Sequence, residues 1–205
     1  MSSQTAPAYT AQEALERLKQ GNARFVSGHA QFPTAQKEIL ADLARGQHPY
    51  VTILGCSDSR VPPELLFDAG FGELFVIRVA GNVLGPTIAG TLQYAGRHLH
   101  TPLFVVLGHE GCGAVEAALA EKYHGTEHLS RISVLLDDIV PGLAQLDPTL
   151  PPPALLSAAV EANVRWTIQQ IRESPEGQLR ATEGGVQMVG AVYDIATGRV
   201  RFLDD

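Results

Sequence analysis

Three short, unbroken apolar runs, separated by stretches of helix length, set the limits on how this chain can fold. They are Tyr50-Val51-Thr52-Ile53-Leu54, Leu74-Phe75-Val76-Ile77-Arg78-Val79 and Leu103-Phe104-Val105-Val106-Leu107. Each is rich in β-branched or aromatic residues and lacks the alternation of a half-exposed strand. A strand that is apolar on both sides has to be covered on both faces, which is the environment of a parallel sheet. The segments between and after them, 87–99 and from Cys112 or Gly113 to about Tyr123, have the length of crossover helices.

The flanking sequence extends this α/β pattern. Residues 10–28 read as an amphipathic helix, with Thr10 as its cap, Glu13 three residues on, and Leu15, Leu18 and Phe25 at helical spacing. A second helix is expected over about 34–46, a third over 130–140, and a long one over 154–173 that stops at Ser174-Pro175. Pro141 to Pro153 reads as a proline-rich connection. Val189-Gly190-Ala191-Val192-Tyr193 and Val200-Arg201-Phe202-Leu203, with Thr197-Gly198 between them, read as a hairpin whose first strand joins the sheet. The expected fold is a central, mostly parallel sheet of about four to five strands with helices on both faces. We read 1–205 as one domain, made of an N-terminal helical arm (10–46) and an α/β unit (47–205).

The chain has 205 residues, 45% of them hydrophobic, enough for one sizeable core. A net charge of −7 argues against a nucleic-acid surface. The apolar runs are too short to cross a bilayer. The N-terminus has neither a basic start nor a hydrophobic segment, so no secretory leader is expected and a cytoplasmic location is.

Of the chain's two cysteines, Cys56 follows directly on a predicted strand, as His109 does, and Cys112 lies where the next helix begins. Cys56 opens Cys56-Ser57-Asp58-Ser59-Arg60, and Cys112 follows His109 in Gly108-His109-Glu110-Gly111-Cys112-Gly113. In doubly wound sheets ligands bind just beyond the carboxyl ends of the strands, so segments distant in sequence can meet there. Two thiolates and one imidazole suit zinc. Asp58 can close such a site as a fourth ligand, or leave it open for water. A redox disulfide between the cysteines, or a nucleophilic Cys112–His109 pair, are other uses of the same residues. The second leaves the Cys56–Arg60 run without a role. Asp58 and Arg60 are spaced to form a charge-assisted pair. Held in that way, the carboxylate stays off the metal and accepts a hydrogen bond from water. The spacing of Cys56 and Arg60 is too short for a phosphatase loop, and Gly108–Gly113 does not follow the dinucleotide pattern.

These residues resemble those of the β-class carbonic anhydrases over nearly the whole chain. The resemblance is carried by Gly21-Asn22-Ala23-Arg24-Phe25, the Cys56–Val61 run, Gly72–Arg78 with Ala80-Gly81-Asn82, and Leu107–Val115. Asn163-Val164, Ser174-Pro175 and Val189–Tyr193 complete it. It implies Zn²⁺ held by Cys56, His109 and Cys112, and an Asp58–Arg60 catalytic dyad. It also implies reversible hydration of CO₂ to bicarbonate and a proton by metal-bound hydroxide. Gln47, Val61, Phe75, Tyr94 and Gly113 fall at positions of the substrate pocket, as in the plant-type branch. Ile53 stands where bicarbonate-regulated members carry a tryptophan. The resemblance further implies a homodimer or tetramer, with the site at a subunit interface and residues 10–46 reaching over the neighbour. Hydrolysis of carbonyl sulfide or carbon disulfide on the same site is one alternative. A non-catalytic zinc or bicarbonate-binding protein is another, against which the retained dyad speaks.

Overall fold

In the computed structural model of the chain, residues 9–31, 40–41, 43–175, 177–178 and 186–204 are described. Five strands form one sheet: β1 (Val51–Gly55), β2 (Leu74–Arg78), β3 (Leu103–His109), β4 (Gln187–Tyr193) and β5 (Val200–Phe202). Their order is β2-β1-β3-β4-β5. β1 pairs in parallel with β2 and β3, β3 pairs in parallel with β4, and only the edge strand β5 runs antiparallel. All five residues of β1 and all seven of β3 are buried, as their unbroken apolar sequences require.

α1 (Ala11–Val26) precedes the sheet, and between the strands run α2 (Pro63–Leu66), α3 (Pro86–Tyr94), α4 (Gly113–His124), α5 (Ser130–Asp137) and α6 (Pro152–Glu173). The sequence does not signal the one-turn α2. The expected helix 87–99 continues beyond α3 as a π-helical turn over Ala95–Leu99, closed by His100 in the left-handed region at φ 53°. The proline-rich connection is shorter than expected. A 3₁₀ turn occupies Val140–Leu143, and α6 already starts at Pro152, where a proline at the first helical turn gives up no hydrogen bond.

The two faces of the sheet bury separate cores. On one, Leu54, Cys56, Ile77, Phe104, Val106 and Val192 meet α3, α4, α5 and α6. On the other, Val51, Ile53, Leu103, Val105, Leu107, Val189 and Ala191 meet α1 and Phe67. α1 starts at a capping box: Glu13 N–H donates to Thr10 Oγ1, and Glu13 reaches back to the Thr10 amide. Ala14, Leu15 and Leu18 are its buried stripe. α1 therefore docks its apolar stripe on the sheet of its own chain. Without it a continuous apolar sheet face would be bare to water. Most of the second expected helix, 34–46, lies outside the described residues; 40–41 and 43 are helical.

Candidate metal centre

Register brings the candidate ligands together. Gly55 at the end of β1 is level with Leu107 of β3, so Cys56 leaves the sheet beside Gly108 and His109. The chain then turns at Gly111, in the left-handed region at φ 64°, and returns Cys112 as the residue preceding α4. The ligating atoms of Cys56, His109 and Cys112 all lie within 4.8 Å of one another. The two sulfurs are 4.0 Å apart and free. All three residues are buried, His109 completely.

His109 shows what the cluster lacks. Its Nδ1 lies 3.0 Å from the Glu110 carbonyl oxygen, an acceptor, so Nδ1 carries the proton and Nε2 presents a lone pair. That Nε2 is buried and has no hydrogen-bond partner among the described residues. A buried acceptor left open beside two sulfurs is the arrangement that a soft or borderline cation would satisfy. The sulfurs are themselves differentiated. A hydrogen bond from the Cys112 thiol, opposed by burial and aided by His109 and the amides of Gly81 and Asp58, brings the Cys56 thiol down to about 4. Cys112 is pushed up, by donating to Cys56 and by burial, although the amides of Val115 and Ala114 at the start of α4 favour its thiolate. Burial alone would lower the His109 imidazole, but the Cys56 sulfur and the Glu110 carbonyl raise it.

Asp58 faces Arg60. Arg60 Nε and Nη2 donate to its two oxygens at 2.9 and 2.7 Å, and the Arg60 amide adds a third bond at 2.9 Å. Chiefly through the side-chain bonds from Arg60, against a smaller opposing effect of burial, the carboxyl is held well below the usual carboxylate range. Asp58 Oδ2 is 3.9 Å from His109 Nε2, so the carboxylate borders the ligand cluster without bonding to it. Arg78, which the motif reading passes over, ties this loop down. Its Nε donates to Cys56 O at 3.0 Å and its Nη2 to Asp58 O at 2.5 Å. A charged residue closing an otherwise apolar strand was the available signal.

Of the other expected pocket residues, Gly113 adjoins Cys112 and Phe75 lies farther back along the sheet. Phe75 is level with Thr52, four residues before Cys56, and so about 13 Å back along the strand. It packs on Tyr94 (ring centroids 6.2 Å apart), and Tyr94 is 48% exposed. Gln47 is exposed. Val61 is buried in the core under α1. Gly113, exposed, opens α4 next to Cys112.

The chain is similar to known proteins over most of its length. Residues 51–200 match the family model described as carbonic anhydrase. Carbonic anhydrase 2 of Mycobacterium tuberculosis is 37% identical over 201 residues, covering 93% of this chain and 92% of the relative. Among solved structures, the β-carbonic anhydrase CcaA superposes with a TM-score of 0.76 at 28% identity, covering 93% of this chain and 87% of that one. The β-carbonic anhydrase CafA of Aspergillus fumigatus gives 0.74 at 30% identity, covering 94% and 90%.

Proposed function

We propose a catalytic role for each group of this centre from the premise that the chain belongs to the β-class carbonic anhydrases, enzymes of the reversible hydration of CO₂ to bicarbonate and a proton. Cys56, His109 and Cys112 hold the zinc ion. The observation that carries this assignment is the buried, unpartnered Nε2 of His109 beside two free sulfurs. Zinc bound there supplies the Lewis acidity that lowers the pKa of a water, less strongly than with three neutral histidines because two thiolates offset its charge.

Asp58 is then the acceptor that such a water requires. Arg60 keeps it ionised and keeps it turned away from the ligand cluster. Because that pairing holds the carboxyl far below its ordinary range, Asp58 would stay ionised and orient a metal-bound water by accepting its hydrogen bond, without itself keeping the proton. Arg78 fixes the backbone on which Cys56 and Asp58 both sit. A merely structural metal site would have no use for the Asp58–Arg60 pair.

Gln47, Val61, Phe75, Tyr94 and Gly113 contribute to binding CO₂ and bicarbonate. Phe75 sits back along the sheet from the cluster of its own chain, and Tyr94, packed on it, offers its ring to solvent. Both features support a homodimer or tetramer in which these side chains complete the pocket of a neighbouring copy. Two buried, free thiols suit a reducing compartment, and we place the enzyme in the cytoplasm. Metal content measured together with CO₂ hydration by stopped flow tests the assignment. About one zinc per chain is expected, with a rate that climbs from pH 6 to pH 9. Metal-free protein with wild-type turnover would refute it.

A further inference from the structure

The imidazole of His109 is oriented by the residue that follows it. Nδ1 donates to the Glu110 carbonyl oxygen at 3.0 Å, which leaves Nε2 open beside the two sulfurs. The direction of the ring therefore depends on where the peptide after Glu110 points. The Glu110 amide donates to Tyr193 O at 2.9 Å, extending the β3–β4 pairing just past His109. Immediately afterwards the backbone reverses at Gly111, at φ 64°. The carbonyl that His109 uses thus sits between a paired strand end and a left-handed turn.

A side chain on α6 supplies a further constraint. Ser157 Oγ donates to Glu110 Oε1 at 3.0 Å, and both residues are half-buried. α6 reaches this point because it packs closely on the residue before His109. A Cβ on Gly108 would lie 2.6 Å from Val164 Cγ2 and 3.2 Å from Val160 Cγ1. The helix therefore meets the end of β3 on both sides of His109, at Gly108 by contact and at Glu110 by a hydrogen bond. Glu110 is held at three atoms: its amide by Tyr193, its carboxylate by Ser157, and its carbonyl by His109 itself. One hydrogen bond at a half-buried position adds only modestly to folding stability. Its distinctive effect here is to restrict the backbone of Glu110, and with it the carbonyl that selects the His109 tautomer.

We propose that Glu110, held by Ser157, is a positioning residue for the metal centre: its carbonyl fixes the tautomer and ring direction of His109, and the Ser157 bond keeps that carbonyl in place. The proposal rests on His109 being a zinc ligand. Losing the direct partner of a ligating imidazole weakens metal binding by about 10- to 100-fold, and a bond one step further out should cost less. Glu110→Ala and Ser157→Ala should each weaken zinc binding about fivefold in competition with a chelator, and the double variant no more than either alone, because both break one link. Glu110→Gln keeps an oxygen for Ser157 and loses only the charge, so its zinc affinity should stay within about twofold of wild type. In the metal-free proteins, nuclear magnetic resonance should show the Nδ1-bound proton of His109 exchanging with solvent faster in both alanine variants. Wild-type zinc affinity and wild-type proton exchange in these variants would overturn the proposal. Ser157→Ala alone decides it if Glu110→Ala does not fold, since alanine suits a helix. Additive losses in the double variant would also overturn it, as would a Glu110→Gln protein as weak as Glu110→Ala, which would trace the effect to charge. Failure of the wild-type protein to bind zinc would instead defeat the ligand assignment. The proton exchange, measured without metal, keeps the two failures distinguishable.

Discussion

The seam between α1 and the sheet and the seam between α6 and the strand ends both bury polar side chains, but they treat them differently. Under α1, Asn22 is fully used. Its Nδ2 donates to Leu66 O at 3.1 Å and Gly198 O at 2.9 Å, and its Oδ1 accepts from the Val200 amide at 2.9 Å. Asp68 nearby accepts from Arg24 Nε at 2.5 Å and from the Gln31 amide at 2.8 Å. Beside α6 the opposite holds. Nε2 of His109, Nδ2 of Asn82 and Oδ1 of Asn163 are buried and unpartnered among the described residues. Buried polar groups that satisfy one another hold a fold together; buried polar groups left open mark where something else is to be bound. The difference separates structural from functional polarity within one small domain.

The comparison can be broken first at the cluster itself. Cys112→Ala should lose zinc and drop CO₂ hydration to the uncatalysed background, read by metal analysis and stopped flow; full zinc occupancy would dismiss Cys112 as a ligand. Asp58→Ala should keep its zinc yet hydrate CO₂ roughly a hundredfold more slowly, the lower end of what a positioned proton acceptor contributes. Equal rates in mutant and wild type would remove Asp58 from the mechanism. On the α1 side, Asn22→Leu strands two carbonyls and an amide in the interior. It should lower unfolding stability by about 3 kcal/mol in a denaturant titration while leaving zinc affinity unchanged. A loss of zinc affinity there would erase the distinction between the two seams.

The smallest effect is expected at the surface. Glu161 accepts from Arg165 and Arg201, each at 2.9 Å. Burial opposes but does not outweigh those two arginines, so its carboxyl is held below the ordinary glutamate value when folded. The stability it contributes is therefore present above the unfolded pKa and is lost as pH falls through the lower, folded one. With a side chain about 30% exposed, the contribution is a few tenths of a kcal/mol. Glu161→Gln should flatten the acid limb of the stability curve by that amount and leave hydration untouched.

Much of this was legible in the sequence, for reasons that differ by residue. β1 and β3 announce themselves because full burial demands unbroken apolar runs, and Cys56 and His109 follow because strand ends are where such sheets place ligands. Asp58 and Arg60 are local in sequence, and their pairing is local in space. Ser157 was not legible as a brace for Glu110. The two are far apart in sequence, and only the packing of α6 on the end of β3 brings them together. Arg78 was hidden similarly, since its partners are backbone atoms. For α1 the amphipathic pattern tells that a face is covered, and the packing of Ala14, Leu15 and Leu18 shows the sheet that covers it.

The most direct test of the central claim is X-ray absorption at the zinc edge of the purified enzyme. The account predicts an inner shell containing two sulfurs at about 2.3 Å and nitrogen or oxygen at about 2.0 Å. A shell of nitrogen and oxygen alone would contradict it.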